Sequence, residues 1–127
     1  METLTIRGTP KLPMVNLDAE KGLVEIKGRS IPENSIAFYE PLVNWLNEYS
    51  KNPQPQTVFN IHLEYFNTSS SKCILDVFKK AENIHNDGKS KVVVNWYYEE
   101  DDDDMLEAGE DYQSIVDLPF EMIAVEE

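Results

Sequence analysis

Hydrophobic and polar residues alternate along several short stretches of the chain, and this two-residue period predicts β-strands. The clearest stretch is 57–66, where a polar face opposes an apolar face predicted to hold Phe59, Ile61, Leu63 and Tyr65. The segment 22–28 begins and ends with glycine and follows the extended segments 4–6 and 12–17, so an N-terminal hairpin is expected. Further strands are predicted at 91–98 and 118–125.

Between these strands, apolar residues recur every three or four positions and predict helices. The segment Ser30-Ile-Pro-Glu33 has the Ser-x-x-Glu form of a capping box, so the first helix is expected to begin there, with Pro41 kinking or restarting it. The polar segment 67–71 offers helix-capping side chains, and the second helix is predicted over 69–86. A short third helix is expected at about 104–116.

The alternation of strands and helices predicts an α/β fold in one domain that spans residues 1–127. We expect a mixed β-sheet of about four to six strands with helices mainly on one face. Polar residues such as Asn60 fit the other, solvent-facing side of that sheet. The unit made of 57–66, 69–86 and 90–98 has the length of a βαβ crossover, which would make its two strands parallel.

The composition of the chain limits the kinds of function it could have. Hydrophobic residues make up 41% of the chain, with 5 glycines and 7 prolines, which is typical of a folded globular protein. The N-terminal segment lacks the features of a signal peptide, and no apolar run is long enough for a membrane span, so a cytoplasmic protein is expected. The single cysteine, Cys73, excludes an internal disulfide and is expected to be a buried thiol of the second helix.

The charge of the chain is unevenly distributed. Residues 1–91 hold 11 basic and 11 acidic side chains, whereas residues 92–127 hold 13 acidic side chains and no basic one. The whole net charge of −13 therefore belongs to the last 36 residues. Such an acidic balance argues against binding to nucleic acid, whose phosphates require clustered lysine and arginine, and against direct contact with anionic membranes.

The densest group of candidate functional residues is Asn67-Thr68-Ser69-Ser70, between a predicted strand and a predicted helix. The simpler interpretation is a helix N-cap, which needs only one such side chain. A helix start also offers free N–H groups and the positive end of the helix dipole, both of which favour a phosphate. A hydroxyl group in this segment is therefore a good candidate for reversible phosphorylation.

A second candidate is the acidic run Glu99–Asp104, because Ca²⁺ and Mg²⁺ bind clustered carboxylates. The run lacks the spaced Asp-x-Asp-x-Asp-Gly pattern, so a solvated charged loop is the preferred interpretation and a small metal-dependent enzyme is the less favoured alternative. If strands 57–66 and 90–98 are parallel, their carboxyl ends place Thr68 and this run on the same rim of the sheet.

No other group of residues predicts catalysis or a cofactor. The chain has neither Gly-x-x-x-x-Gly-Lys-Ser/Thr nor Gly-x-Gly-x-x-Gly, so nucleotide binding is unsupported. His62 and His85 have no serine or cysteine partner at a recognisable spacing, and His62 is expected on the solvent-facing side of the sheet. We therefore expect a protein that is not an enzyme and holds no cofactor or metal.

Two longer segments carry a resemblance to a known family. They are Leu63-Glu-Tyr-Phe-Asn-Thr-Ser-Ser-Ser-Lys72 with the following Cys-Ile-Leu-Asp, and Val94-Asn-Trp-Tyr-Tyr-Glu-Glu-Asp-Asp-Asp-Asp-Met-Leu-Glu-Ala-Gly-Glu-Asp-Tyr112. Through them the chain resembles the SiaC family of bacterial regulatory phosphoproteins, small domains similar to the STAS-type anti-sigma-factor antagonists. The order of elements agrees over nearly all 127 residues, so the resemblance implies a STAS-like sheet.

The resemblance also implies a partner switch. A dedicated protein kinase would phosphorylate the domain at Thr68, a PP2C-type phosphatase would reverse this, and the unphosphorylated form would bind and activate a diguanylate cyclase. That output would control c-di-GMP signalling, biofilm formation and aggregation. We expect the partner to contact the rim and the exposed start of the second helix, through Asn67, Thr68, Ser69, Ser70 and Lys72.

Two other interpretations of the resemblance stay open. The first is an anti-sigma-factor antagonist, but those proteins more often carry Asp-Ser where this chain has Asn67-Thr68, and this departure favours the cyclase output. The second is a constitutive protein-interaction module in which Thr68 merely caps a helix.

Overall fold

Six strands form one mixed β-sheet in the computed structural model, which describes residues 1–126. The order of the strands across the sheet is the same as their order along the chain. All six predicted strands are present and begin and end within two residues of the expected positions. They are β1 (Leu4–Ile6), β2 (Met14–Asp18), β3 (Leu23–Ser30), β4 (Gln56–Phe66), β5 (Lys91–Glu99) and β6 (Phe120–Val125).

The sheet has an antiparallel part and a parallel part. Strands β1, β2 and β3 pair antiparallel, so the expected N-terminal hairpin is present, and the neighbouring pairs from β3 to β6 are all parallel. One helix connects the two strands of each parallel pair: α1 (Ser35–Tyr49), α2 (Thr68–Asn86) and α3 (Asp103–Ile115). The predicted βαβ unit is thus confirmed as β4, α2 and β5, and its strands are direct neighbours. This arrangement confirms the α/β class and the mixed sheet.

The two faces of the sheet have different environments. On one face, alternate strand residues such as Phe59 and Trp96 are buried with apolar helix residues in a single core. Burying a side chain of this size stabilises the fold by about 1.5–3 kcal/mol. On the opposite face the side chains are half-buried or exposed, and Asn95 Nδ2 donates to Asn60 Oδ1 across 3.0 Å. Helices on one face and a polar opposite face are therefore confirmed.

Helix α1 begins later than its sequence predicts. Ser30, expected in a capping box, is instead the last residue of β3 and is completely buried. The N-cap is Asn34, whose Oδ1 accepts a hydrogen bond from the Ala37 N–H at 3.1 Å. The helix does not restart at Pro41, because one helix continues through this exposed residue to Tyr49. The carbonyl group that loses its donor there belongs to exposed Ala37 and can bind water.

Strand β4 contains a bulge that changes which residues face the core. Gly28 of β3 pairs with Leu63, but the next residue, Arg29, pairs with Tyr65, so Glu64 is an extra residue in the ladder. After Glu64, the alternation of inward-facing and outward-facing side chains along β4 is therefore shifted by one residue. Tyr65, predicted on the apolar face, is consequently 49% exposed with the Arg29 guanidinium 5.7 Å from its ring centre, and Phe66 packs inward instead.

The three helices pack on one face of the sheet and contribute side chains to the core. Within residues 1–126, no helix combines the length and the apolar character that crossing a membrane requires.

Candidate functional site

The carboxyl ends of three neighbouring parallel strands meet at one edge of the sheet. Strands β3, β4 and β5 end there, and the helices α1, α2 and α3 begin immediately afterwards. We call this region the rim. Because β4 and β5 are parallel, Thr68 at the start of α2 and the acidic run Glu99–Asp104 lie on this same side, as predicted.

Asn67 fixes the start of α2. Its Oδ1 accepts hydrogen bonds from the Ser70 N–H at 2.9 Å and from the Ser69 hydroxyl at 3.2 Å. Its own N–H donates to the Ser30 carbonyl at 3.0 Å, which ties the turn to the end of β3. The N-cap of this helix is therefore Asn67 and not one of the hydroxyl residues that follow it.

Thr68 is the first residue of α2 and is exposed. Its carbonyl accepts a hydrogen bond from the Ser71 hydroxyl at 2.7 Å, but its own hydroxyl forms no hydrogen bond with any residue from 1 to 126. The hydroxyl group is thus available to solvent and to an enzyme. It also lies at the positive end of the α2 dipole, where the first turn contains no acidic residue.

Hydroxyl groups, all of them buried except that of exposed Ser69, join β3 to the starts of α1 and α2. Ser30 Oγ lies 2.9 Å from Ser70 Oγ and 2.7 Å from the Tyr39 hydroxyl. Ser35 Oγ lies 2.7 Å from Ser69 Oγ and 3.4 Å from Ser70 Oγ. We call Ser30, Ser35, Tyr39, Ser69 and Ser70 the hydroxyl network. Satisfied buried polar networks hold their members in one arrangement, so this network fixes the two helix starts relative to each other.

The predicted partner-binding residues therefore differ in accessibility. Thr68, Ser69 and Lys72 are exposed and Asn67 is partly exposed. Ser70 is 0% exposed, and its hydroxyl also donates to the Ser30 carbonyl at 3.2 Å. The structure gives Ser70 a supporting position under the rim, which differs from the expected partner contact. Its side chain faces inward because the helical period turns residue 70 toward the core when residue 68 faces solvent.

The environment of Tyr39 changes its ionisation. Burial raises the pKa of the Tyr39 hydroxyl to about 12, although its hydrogen bond with Ser30 opposes this shift. Burial also raises the pKa of Tyr112, whose hydroxyl donates to the Ser71 carbonyl at 2.8 Å and so connects α3 to the first turn of α2. Both phenols are hydrogen-bonded structural groups at neutral pH.

The acidic run is more ordered than the solvated loop that its sequence predicts. Asp102 is the N-cap of α3, with its Oδ1 accepting from the Met105 N–H at 3.0 Å, and Asp103 and Asp104 occupy the first turn. Carboxylates at this position interact favourably with the helix dipole. Glu99 Oε1 lies 3.5 Å from His62 Nε2. Between residues 1 and 126, no three His, Cys, Asp or Glu side chains are grouped so that they could hold a metal ion.

The remaining residues with potential chemistry have structural surroundings. His85 Nδ1 accepts a hydrogen bond from the Val92 N–H at 3.1 Å, and His62 lies on the polar face of the sheet, as predicted. Cys73 is buried in the core, which confirms the expected buried thiol. Burial, followed by the nearby Asp76 carboxylate, raises the pKa of this thiol above its ordinary value and disfavours the reactive thiolate.

Sequence reasoning did not find three members of the hydroxyl network. Ser30, Ser35 and Tyr39 lie far from Thr68 in the chain, and the capping-box pattern at Ser30 indicates a helix start and not a contact with α2. Their proximity to the start of α2 follows from the parallel pairing of β3 with β4, which brings the ends of these two strands together.

Known proteins share the sequence pattern and the fold of this chain. Residues 6–125 match the family model described as SiaC family regulatory phosphoprotein. A protein of Pseudomonas aeruginosa strain UCBPP-PA14 is 28% identical over 127 residues, which covers all of both chains.

Solved structures show the same fold. SiaC of Pseudomonas aeruginosa is 28% identical, with a TM-score of 0.90 over 98% of this chain and 100% of that one. A second solved structure is the complex of the diguanylate cyclase SiaD of that organism with its activator SiaC. The chain in that structure is 28% identical to this one, with a TM-score of 0.90 over 96% of this chain and 99% of that one. Since the family model covers nearly the whole chain and the fold agrees throughout, this chain belongs to the SiaC family of regulatory phosphoproteins.

Proposed function

We propose that this protein is a partner switch whose state is set by phosphorylation of Thr68. A dedicated protein kinase adds the phosphate, a PP2C-type phosphatase removes it, and the unphosphorylated form binds and activates a diguanylate cyclase. In this role the protein is a non-enzymatic, cytoplasmic regulator of c-di-GMP synthesis, and through it of biofilm formation and aggregation. The observation that carries the proposal is the exposed, unbonded hydroxyl of Thr68 on an otherwise hydrogen-bonded rim.

The position of Thr68 suits a reversible modification. A phosphate there adds about −1.5 to −2 charges at the positive end of the α2 dipole. Asn67 already caps the helix, and the hydroxyl network holds the turn from below. Adding or removing the phosphate therefore changes the charge of the surface without requiring the helix start to refold.

The surface around the start of α1 contains apolar groups that a partner could cover. Ile36, the second residue of α1, is 73% exposed, and its neighbour Ser35 bonds to Ser69 at the start of α2. A groove lined by Leu12, Ile31 and Pro32, among other residues, lies along the loop that leads into α1. Apolar contacts supply affinity, while the polar part of such an interface detects the phosphate.

Phosphorylation would weaken docking through desolvation and repulsion. A phosphorylated side chain must lose bound water when a partner covers it, and the acidic run on the same rim adds negative charge. A loss of about 3 kcal/mol corresponds to about a hundredfold weaker binding, which is sufficient for a switch.

The cyclase is proposed as the partner because of the similar complex. SiaC, with 28% identity, is described as the activator of the diguanylate cyclase SiaD, and the fold agrees over 96% of this chain. The alternative is a constitutive module in which Thr68 merely caps α2; the N-cap is Asn67, so the exposed Thr68 hydroxyl has no capping role, and this favours the switch. An anti-sigma-factor antagonist has no comparable observation in its favour.

The test compares Thr68→Ala, Thr68→Asp and enzymatically phosphorylated protein for binding to the diguanylate cyclase of the same organism and for its rate of c-di-GMP synthesis. We expect Thr68→Ala to bind and activate like the unmodified protein. Thr68→Asp and the phosphorylated protein should bind about a hundredfold more weakly. Intact mass should show one added phosphoryl group on the wild-type protein and none on Thr68→Ala.

The matched control is Thr3→Asp, which adds the same charge at an exposed threonine before β1. This variant should bind the cyclase normally, because its charge lies in the N-terminal segment and not at the start of α2. Equal binding by Thr68→Ala and Thr68→Asp would show that the switch lies elsewhere.

A further inference from the structure

Strand β6 forms one edge of the sheet and has a row of outward-facing backbone groups. The Pro119 and Val125 carbonyls face β5 and accept hydrogen bonds from the N–H groups of Val94 and of Glu100, the residue that follows β5. In a β-strand, the N–H and C=O groups of one residue point to the same side, and those of the next residue point to the opposite side. The even-numbered residues 120, 122 and 124 therefore direct theirs away from β5, and no strand within residues 1–126 pairs with them.

The two edges of the sheet are not equally protected against pairing with another chain. The opposite edge is β1, which has only three residues, Leu4–Ile6. β6 has six residues, Phe-Glu-Met-Ile-Ala-Val, and contains no proline, no lysine and no register shift in its pairing with β5. Short length, proline, lysine and bulges are the usual devices that prevent strand addition, and β6 lacks all of them.

From this edge, we infer that β6 binds an extended, lysine- or arginine-bearing segment of another protein, which adds to the sheet as a seventh strand. The inference is independent of the proposed role of Thr68. Charge selects the occupant: residues 92–127 hold 13 acidic and no basic side chains, and β6 itself contains Glu121 and is followed by glutamates. A second copy of this chain would bring two such acidic segments together, whereas a basic segment neutralises one.

The side chains of β6 also specify the pattern of the added strand. On the polar face of the sheet, β6 presents Glu121, Ile123 and Val125, and the two aliphatic residues are only half-buried. Ala124 is exposed and small, so a second backbone can approach closely. A segment in which basic and aliphatic residues alternate would place a cation beside Glu121 and cover the aliphatic pair.

The experiment uses the full chain and a labelled peptide of alternating lysine and valine as the probe. Fluorescence anisotropy measures binding, and hydrogen exchange of backbone amides locates it. We expect the peptide to bind and to slow the exchange of the Met122 and Ala124 amides by about tenfold or more, because these N–H groups gain partners. The same peptide with N-methylated residues has equal charge but cannot pair, so it should not bind in this way.

Variants on the edge test the charge requirement. Ala124→Lys should weaken peptide binding by about tenfold through repulsion, while Ala124→Gln, similar in size and neutral, should retain it. Glu121→Lys is a second variant, useful if Ala124→Lys does not fold, and is expected to weaken binding as well.

Several results would overturn the inference. They are absence of peptide binding, equal binding of the N-methylated peptide, protection of β1 amides in place of β6 amides, and self-association of the protein through this edge, detected by sedimentation.

Discussion

Thr68 and Ser70 are two positions apart and chemically similar, but their surroundings are opposite. Thr68 is exposed with an unbonded hydroxyl, whereas Ser70 is completely buried and bonds to Ser30. The sequence predicts the segment and, through the resemblance, the threonine. It could not separate these two roles, because the direction of each side chain depends on where α2 begins, and Asn67 fixes that point.

Tyr39 makes the free energy of unfolding of the protein depend on pH in the alkaline range. Its pKa of about 12 in the folded protein exceeds the ordinary value of 10.0. Below pH 10 the phenol is protonated in both the folded and unfolded states. Between pH 10 and 12 the unfolded chain loses the proton while the folded protein keeps it, so the free energy of unfolding falls as pH rises. The expected loss from this residue is about 3 kcal/mol across that window.

Urea unfolding at a series of pH values measures this effect. Tyr39→Phe removes the titrating group and should make the decline shallower, while the raised pKa of Tyr112 maintains part of it. Tyr65→Phe, at an exposed tyrosine, is the control and should keep the wild-type slope. An unchanged slope in Tyr39→Phe would contradict the assignment.

At the scale of elements, α3 lies directly against β5 because Gly109 has no side chain. A Cβ atom at this position would lie 2.5 Å from Trp96 Cδ1 and 2.9 Å from Met122 Sδ. The close approach also allows Trp96 Nε1 to donate to the Met105 carbonyl at 2.9 Å. The side chains of β5 and β6 thus hold the helix that follows the acidic run.

Substituting Gly109→Ala should destabilise the protein by about 1–3 kcal/mol, because Trp96 and Met122 must move to admit the methyl group. The loss is measured as a lower urea midpoint with an unchanged slope of unfolding. Glu110→Ala, at the exposed neighbouring position, is the control and should change stability by less than about 0.5 kcal/mol. A Gly109→Ala protein as stable as wild type would show that the packing here is looser than described.

Most elements were predictable from periodicity, and the errors have identifiable tertiary causes. The sequence that begins at Ser30 matches a capping box. In the structure Ser30 pairs with β4 and is buried under α1 and α2, so it is the last residue of β3 and caps no helix. Tyr65 follows the apolar alternation, but the bulge at Glu64 reverses its direction. Both errors lie at the rim, where several elements meet and local pattern has least influence.

At the scale of the whole molecule, most acidic side chains of residues 92–126 have no basic partner in the part of the chain that the structure describes. Within residues 1–126, lysine pairs with a carboxylate at Lys51–Glu48 and at Lys79–Glu82. Among residues 92–126, Glu99 alone has a neighbour of this kind, the imidazole of His62. Most of the other acidic residues of 92–126 are exposed, and six acidic residues follow one another at Glu99–Asp104. Their mutual repulsion disfavours the compact state and is weakened by salt.

Raising the salt concentration from low to physiological values should therefore raise the thermal midpoint. Neutralising exposed positions of the run with Glu100→Gln and Asp101→Asn should raise the midpoint at low salt and reduce its salt dependence. Asp102 is excluded from this set because it caps α3. The matched control, Glu20→Gln with Glu33→Gln in the neutral part of the chain, should leave the salt dependence nearly unchanged. Equal salt dependence in all variants would mean that repulsion within the run is negligible.

The strand order has a consequence for biosynthesis. Because the order across the sheet follows the order along the chain, each strand leaving the ribosome can join the edge formed by the strand before it. The segments that hold Ser30, Ser35 and Thr68 are all made before β5, and the acidic part is made after them. The growing chain can thus assemble its switch region on an electrically neutral framework and add the repelling carboxylates to a surface that is already folded.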